Sequence, residues 1–134
     1  MTKLLSLLVF TTACYANEAE DLAEIIYAED RQSIHGAMQV GNAAINRAKA
    51  EKRPIKHISG VHRKPIPKTS KPYFIALAQA ALTSPRLNDA DSWDSGTKPH
   101  LPGTVYAQVA GQVYYKQHRR QNETTMGTPR GRPR

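Results

Sequence analysis

Apolar residues recur at helical spacing in three stretches of the chain. In "DLAEIIYAED", residues 21–30, Leu22, Ile25 and Ile26 form one stripe, and the next position on that stripe is a carboxylate, Glu29. Glu18, Glu20 and Asp21 suit the positive end of a helix running from about Glu18 to Glu29 or Arg31. Ser33 is an N-cap for a second helix, Ile34 to Ala50, with Ala37, Met38, Gly41, Ala44, Ile45 and Ala48 toward a core and Gln39, Asn42, Asn46 and Lys49 on the opposite side. Gly41 and Ala44 permit close approach of a neighbouring element. Asn46 and Arg47 are read as structural, fixing this helix against a loop. A third helix, about 72–83, starts at Pro72, carries Phe74, Leu77, Ala78 and Ala81, and stops at Ser84–Pro85.

Between these stretches the periodicity fails. "HRKPIPKTSKP", within the proline-rich basic segment 53–72, predicts a loop or extended arm. "NDADSWDSGTKPHLPG" reads as turn chemistry around the one tryptophan, Trp93. Val105–Tyr115 alternates Val105, Ala107, Val109, Gly111, Val113 and Tyr115, which predicts a strand over at least part of its length, although a helix period also fits. The tail after residue 116 is almost free of large apolar residues and is expected to be disordered.

With 134 residues the chain holds one modest domain. Residues 1–16, with Lys3, the apolar run Leu4–Phe10 and a small polar stretch, predict a secretory signal cleaved after Ala16 and hence a secreted protein, periplasmic or extracellular. The domain then spans 17–116 and the basic tail 117–134. Cys14, the only cysteine, falls inside the leader, so the mature chain has no disulfide or thiolate chemistry. The formal charge is +8, yet residues 17–115 contribute only +2, with twelve basic and ten acidic side chains. The basicity belongs mostly to the tail, which is suited to an anionic polymer or a membrane surface.

The stretch Ile26–Ala48, "IYAEDRQSIHGAMQVGNAAINRA", resembles the signature of the SleB-like cell wall hydrolases, the spore cortex-lytic type. Tyr27, Ala28 and Glu29 match its first part, Gly36 and Val40 its middle, and Asn46–Arg47 its end. "RPIKHISGV", "IALAQAAL" and "VAGQVYYK" are similar to later segments of the family, so the resemblance covers about residues 20–116. Two departures stand out. Gln32–Ser33 replaces the family's Gly-Glu, and Val113 stands where a histidine is usual. The resemblance implies a small α+β, lysozyme-like domain, mainly helical with a short β-containing arm; no cofactor is implied, and a monomer is expected. It also implies cleavage of the β-1,4 bond between N-acetylmuramic acid and N-acetylglucosamine in peptidoglycan, with Glu29 as the catalytic acid.

The residues suit that chemistry. The cut needs an acid that donates to the leaving glycosidic oxygen. A glutamate ending an apolar stripe in a partly dry cleft has its charged form disfavoured. A hydrolase also needs a second carboxylate, for which Asp30, Asp91 and Asp94 are available. A lytic transglycosylase does not, because the muramoyl C6 hydroxyl closes on the oxocarbenium-like centre. Ser33 in place of a glutamate favours the transglycosylase. The plainer reading of Glu29 is a helix-end surface residue paired with Arg31 or Arg47.

Trp93, with Ser92 and Asp94, is a candidate sugar-stacking platform, or Trp93 plugs a small core; Tyr115 is a further cleft candidate. The spacing of His57, His62 and His100 with Asp89 and Asp91 matches no zinc pattern, so no metal site is assigned. Two other function classes compete. "PRGRPR", residues 129–134, is similar to the AT-hook core that enters the minor groove of A·T-rich DNA. The departures at Gln32, Ser33 and Val113 fit a non-catalytic wall-binding protein.

Overall fold

The computed structural model describes residues 17–29 and 33–119. Residues 1–16, expected from their sequence to be an export leader, Asp30, Arg31 and Gln32, and the tail from residue 120, with its AT-hook-like hexapeptide, lie outside the described residues.

The domain is α+β. Helix α1 covers residues 17–29, α2 runs Ile34–Glu51 and α3 Lys71–Thr83, with a 3-10 turn at Ile55–His57 in the arm between α2 and α3. Strands β1 (Ser92–Ser95), β2 (Gly103–Val109) and β3 (Gln112–Gln117) form an antiparallel sheet in the order β1-β3-β2. The expected stripes meet in one core: Leu22, Ile25 and Ile26 from α1, Ala37, Val40, Ala43 and Ala44 from α2, and Phe74, Ala78 and Ala81 from α3. Trp93 and Tyr114, paired across β1 and β3, close it from the sheet side. Among the described residues no helix is long and apolar enough to cross a membrane.

Local signals set several boundaries. The Ser33 hydroxyl accepts the Gly36 N–H at 3.0 Å and starts α2. Small residues set the α2–α3 distance, because a Cβ on Gly41 would lie 2.8 Å from the Ala81 Cβ.

The arm between α2 and α3 is irregular, as expected, apart from its 3-10 turn, and the β-structure lies in 92–117. Three expectations are corrected. Trp93 is not in a turn region but in β1, because it pairs with Tyr114, a partner remote in sequence that local turn chemistry does not reveal. Val105–Tyr115 is two strands joined at Ala110 and Gly111, both at positive φ (51° and 77°), the backbone a two-residue hairpin turn requires. The ordered domain extends past residue 116. Gln117 belongs to β3, the His118 N–H donates to the Pro102 carbonyl at 2.9 Å, and Arg119 reaches Asp91 at 3.7 Å.

Most of the polar side of α2 is covered, and of its four residues only Lys49 is exposed. Gln39 and Asn42 are buried against the segment 87–91. The Asn42 amide donates to the backbone carbonyl and the side-chain oxygen of Asn88 (3.1 and 2.9 Å), while its own oxygen accepts the Leu87 N–H at 2.9 Å. Asn46 donates to the carbonyls of Asn88 and Ala90, and Asn88 donates to Gln39. These amides replace water for a segment whose one backbone bond to the sheet, among the described residues, is from the Asp91 N–H to the Tyr115 carbonyl, at 3.0 Å. Asn42→Ala strands several of these groups and is expected to cost about 2–3 kcal/mol in urea unfolding. A cost below about 0.5 kcal/mol would mean that the amides are not holding the segment.

Candidate functional site

Glu29 lies in the last described turn of α1 and is half-buried, with Ile25 and Ile26 of the same helix in the core. Its carboxylate accepts the backbone N–H of His62 in the arm at 3.4 Å, and its backbone carbonyl accepts from the Gln112 side chain at the start of β3, at 3.2 Å. The arm is laid along α1 by a further bond from the Lys64 N–H to the Glu24 carbonyl. Glu29 therefore occupies a seam where α1, the arm and the hairpin meet. Arg47 donates instead to the Asp91 and Ser59 carbonyls, and Arg31 lies outside the described residues.

Arg47 behaves as the structural residue the sequence suggests. Its Nε donates to the Asp91 carbonyl at 2.8 Å and its Nη1 to the Ser59 carbonyl at 2.9 Å, tying α2 to both the arm and β1. The guanidinium also covers the Trp93 ring, with Cζ 4.9 Å from the centroid.

The three residues read as glycan contacts are brought together, but differently from one another. Ser92 is sealed in (1% exposed) and its hydroxyl donates to Asp91 at 3.1 Å, so it presents no group to a ligand. Trp93 and Tyr115 both border a cavity of about 260 Å³ at the β1 edge, together with Arg47, Glu51, Asp94 and Arg119. Trp93 is 9% exposed and carries Arg47 on its ring, which leaves little open face for stacking. Glu29 does not line this cavity. It meets β3 at Gln112, three positions before Tyr115, roughly 10 Å along the strand.

Beside the cavity, Asp94 organises the segment that follows β1. Its Oδ2 accepts the His100 N–H and the Tyr115 hydroxyl, both at 2.7 Å, and its Oδ1 lies 3.2 Å from the His100 ring. Burial alone would push the Asp94 carboxyl up, but the His100 amide, the Tyr115 hydroxyl and the His100 ring together bring it below its usual value. Tyr115 is pushed up to about 12, first by burial and then by its bond to the Asp94 carboxylate. A raised phenol stabilises the folded state below the ordinary tyrosine range near pH ~10, and that contribution is lost as pH rises through about 12. In an alkaline titration followed by phenolate absorbance, Tyr115 is expected to contribute a step near pH 12, and that contribution should vanish in Tyr115→Phe. A late step that persists in the variant belongs to another tyrosine.

No protein-family model, characterised protein or solved structure matches this chain.

Sequence reasoning missed the charged members of the cavity. In the sequence Arg47 reads as structural, Glu51 and Arg119 carry no motif, and Asp94 reads as a catalytic carboxylate or as a neighbour of Trp93 in a stacking platform. The spacing Arg47–Glu51 on one helix face was the available signal, but only the fold sets that face beside β1.

Proposed function

We propose that the protein cuts the glycan strand of peptidoglycan between N-acetylmuramic acid and N-acetylglucosamine, outside the cell membrane after export, with Glu29 as the acid that protonates the leaving oxygen. The observation that carries this reading is the position of Glu29: a half-buried carboxyl at the seam of a helix, an arm and a hairpin, next to the core yet open on one side. The ordered resemblance of residues 20–116 to the SleB-like hydrolases supports the same residue.

A lytic transglycosylase is favoured over a hydrolase. Asp91 and Asp94, two of the carboxylates available as a nucleophile or base, are engaged elsewhere. Asp91 accepts the Gln117 N–H and the Ser92 hydroxyl, and Asp94 accepts from His100 and Tyr115. Ser33, where the family has a glutamate, is used as the α2 cap. With one acid, the substrate's own C6 hydroxyl supplies the second oxygen: the glycosidic C–O bond breaks, the Glu29 proton goes to the leaving oxygen, and the C6 oxygen bonds to C1 as its proton returns to the carboxylate.

The test is a digest of purified peptidoglycan with the mature protein, read by mass spectrometry. The expected products are 1,6-anhydro muropeptides, one water lighter than those of hydrolysis. Reducing-end products would make the protein a muramidase, and intact glycan in a folded preparation would reject the cleavage reading in favour of wall binding.

A further inference from the structure

We propose that the cavity beside Trp93 is a binding site for the carboxylate of a small ligand, separate from Glu29 and independent of any cleavage there. The cavity measures about 260 Å³, near the lower end of small-molecule sites, so it suits one sugar or a short peptide end. Its base is Arg47, 9% exposed and held rigidly by two backbone carbonyls through Nε and Nη1. Among the described residues only Nε and Nη1 are hydrogen-bonded, so a guanidinium pre-oriented by two bonds, on a residue that lines the cavity, has Nη2 available as a donor. Arg119 borders the same space, and its contact with Asp91 is long, 3.7 Å, with 37% of its side chain exposed.

The acids on the lining select the charge of the ligand. Glu51 is occupied by the Ser59 N–H and hydroxyl at 3.0 and 2.8 Å, and Asp94 by His100 and Tyr115. Both carboxylates are held in place by these bonds, but their charges persist, and they oppose a dianion about twice as strongly as a monoanion. A planar, singly charged carboxylate matches the Arg47 fork and tolerates these neighbours better than phosphate does.

The protein carries its own reporter. Trp93 is the only tryptophan of the chain and lies under Arg47, so a ligand that engages the guanidinium changes the fluorescence of a single ring. The full chain is titrated with two matched pairs: N-acetylmuramic acid against N-acetylglucosamine, which lacks the lactyl carboxylate, and an N-acetylated dipeptide acid against its amide. Inorganic phosphate is a separate arm. A saturable change with the acid of at least one pair, and none with its neutral partner, is expected; which pair responds identifies a sugar acid or a peptide end as the source.

Arg47→Lys should weaken the response about tenfold, and Arg119→Gln, at the rim, about threefold. Circular dichroism establishes that each variant is folded. Should Arg47→Lys not fold, Arg119→Gln carries the test. The proposal is overturned if no acid gives a saturable response, if acid and neutral partners respond alike, if phosphate binds as well as the carboxylates, or if the folded variants bind like the wild type.

Discussion

Glu29→Gln is expected to leave folding intact and to reduce release of muropeptides from peptidoglycan by about a hundredfold to ten-thousandfold, the range that loss of a positioned general acid produces. The substitution is close to isosteric. The amide oxygen still accepts the His62 N–H, and the backbone bond from Gln112 to residue 29 does not involve the side chain. Only the transferable proton disappears, so the loss should fall on turnover. Glu24→Gln, on the same helix, serves as the comparison and should retain activity. If Glu29→Gln digests peptidoglycan like the wild type, the acid is another residue and the mechanism proposed above is wrong.

Gly41→Val is expected to be the most damaging single change in the helical layer. Within an exposed helix, replacing glycine by alanine gains about 0.5–1 kcal/mol in propensity. Here the added Cβ lies 2.8 Å from the Ala81 Cβ, a short side chain that has nowhere to swing, and Ile26 and Leu22 stand within 3.6 and 3.9 Å of the same point. Relief requires α2 and α3 to separate, and overpacking of this kind costs about 1–3 kcal/mol, which outweighs the propensity gain. Gly41→Ala should therefore destabilise, and Gly41→Val more so, in urea unfolding. Pairing Gly41→Ala with Ala81→Gly removes the clash and should recover most of the loss. Additive costs in the double variant would show that the two positions do not meet.

Much of the helical layer was legible in the residues. The Leu22, Ile25 and Ile26 stripe, the Ser33 cap and the Phe74, Ala78 and Ala81 stripe are local patterns, because helix bonds join residues four apart and the signal lies within one window. The close approach at Gly41 was also foreseeable from residue size. The sheet was harder to read. β1 is four residues long and has no alternation of its own; it exists because Ser92–Ser95 pairs with Gln112–Tyr115. The polar flank of α2 misled for a related reason. Gln39, Asn42 and Asn46 are spaced like a solvated face, and nothing nearby in sequence announces that Asn88 will fold across them.

The same division runs through the two candidate sites. That Glu29 interrupts an apolar stripe is a fact of the sequence alone, since it follows from one helix period; that it sits between the arm and the hairpin depends on His62 and Gln112, which are brought there by packing. The Trp93 cavity belongs entirely to the tertiary structure. Arg47, Glu51, Trp93 and Arg119 come from α2, β1 and the chain after β3, and no local period links them. Sequence by itself determined the helices, the Ser33 cap and the odd carboxylate, because those rest on short-range sterics and hydrogen bonds. Only the folded chain decided which polar groups are buried, which strands pair and where charges gather around a cavity, because each is a balance of desolvation against partners far away in sequence.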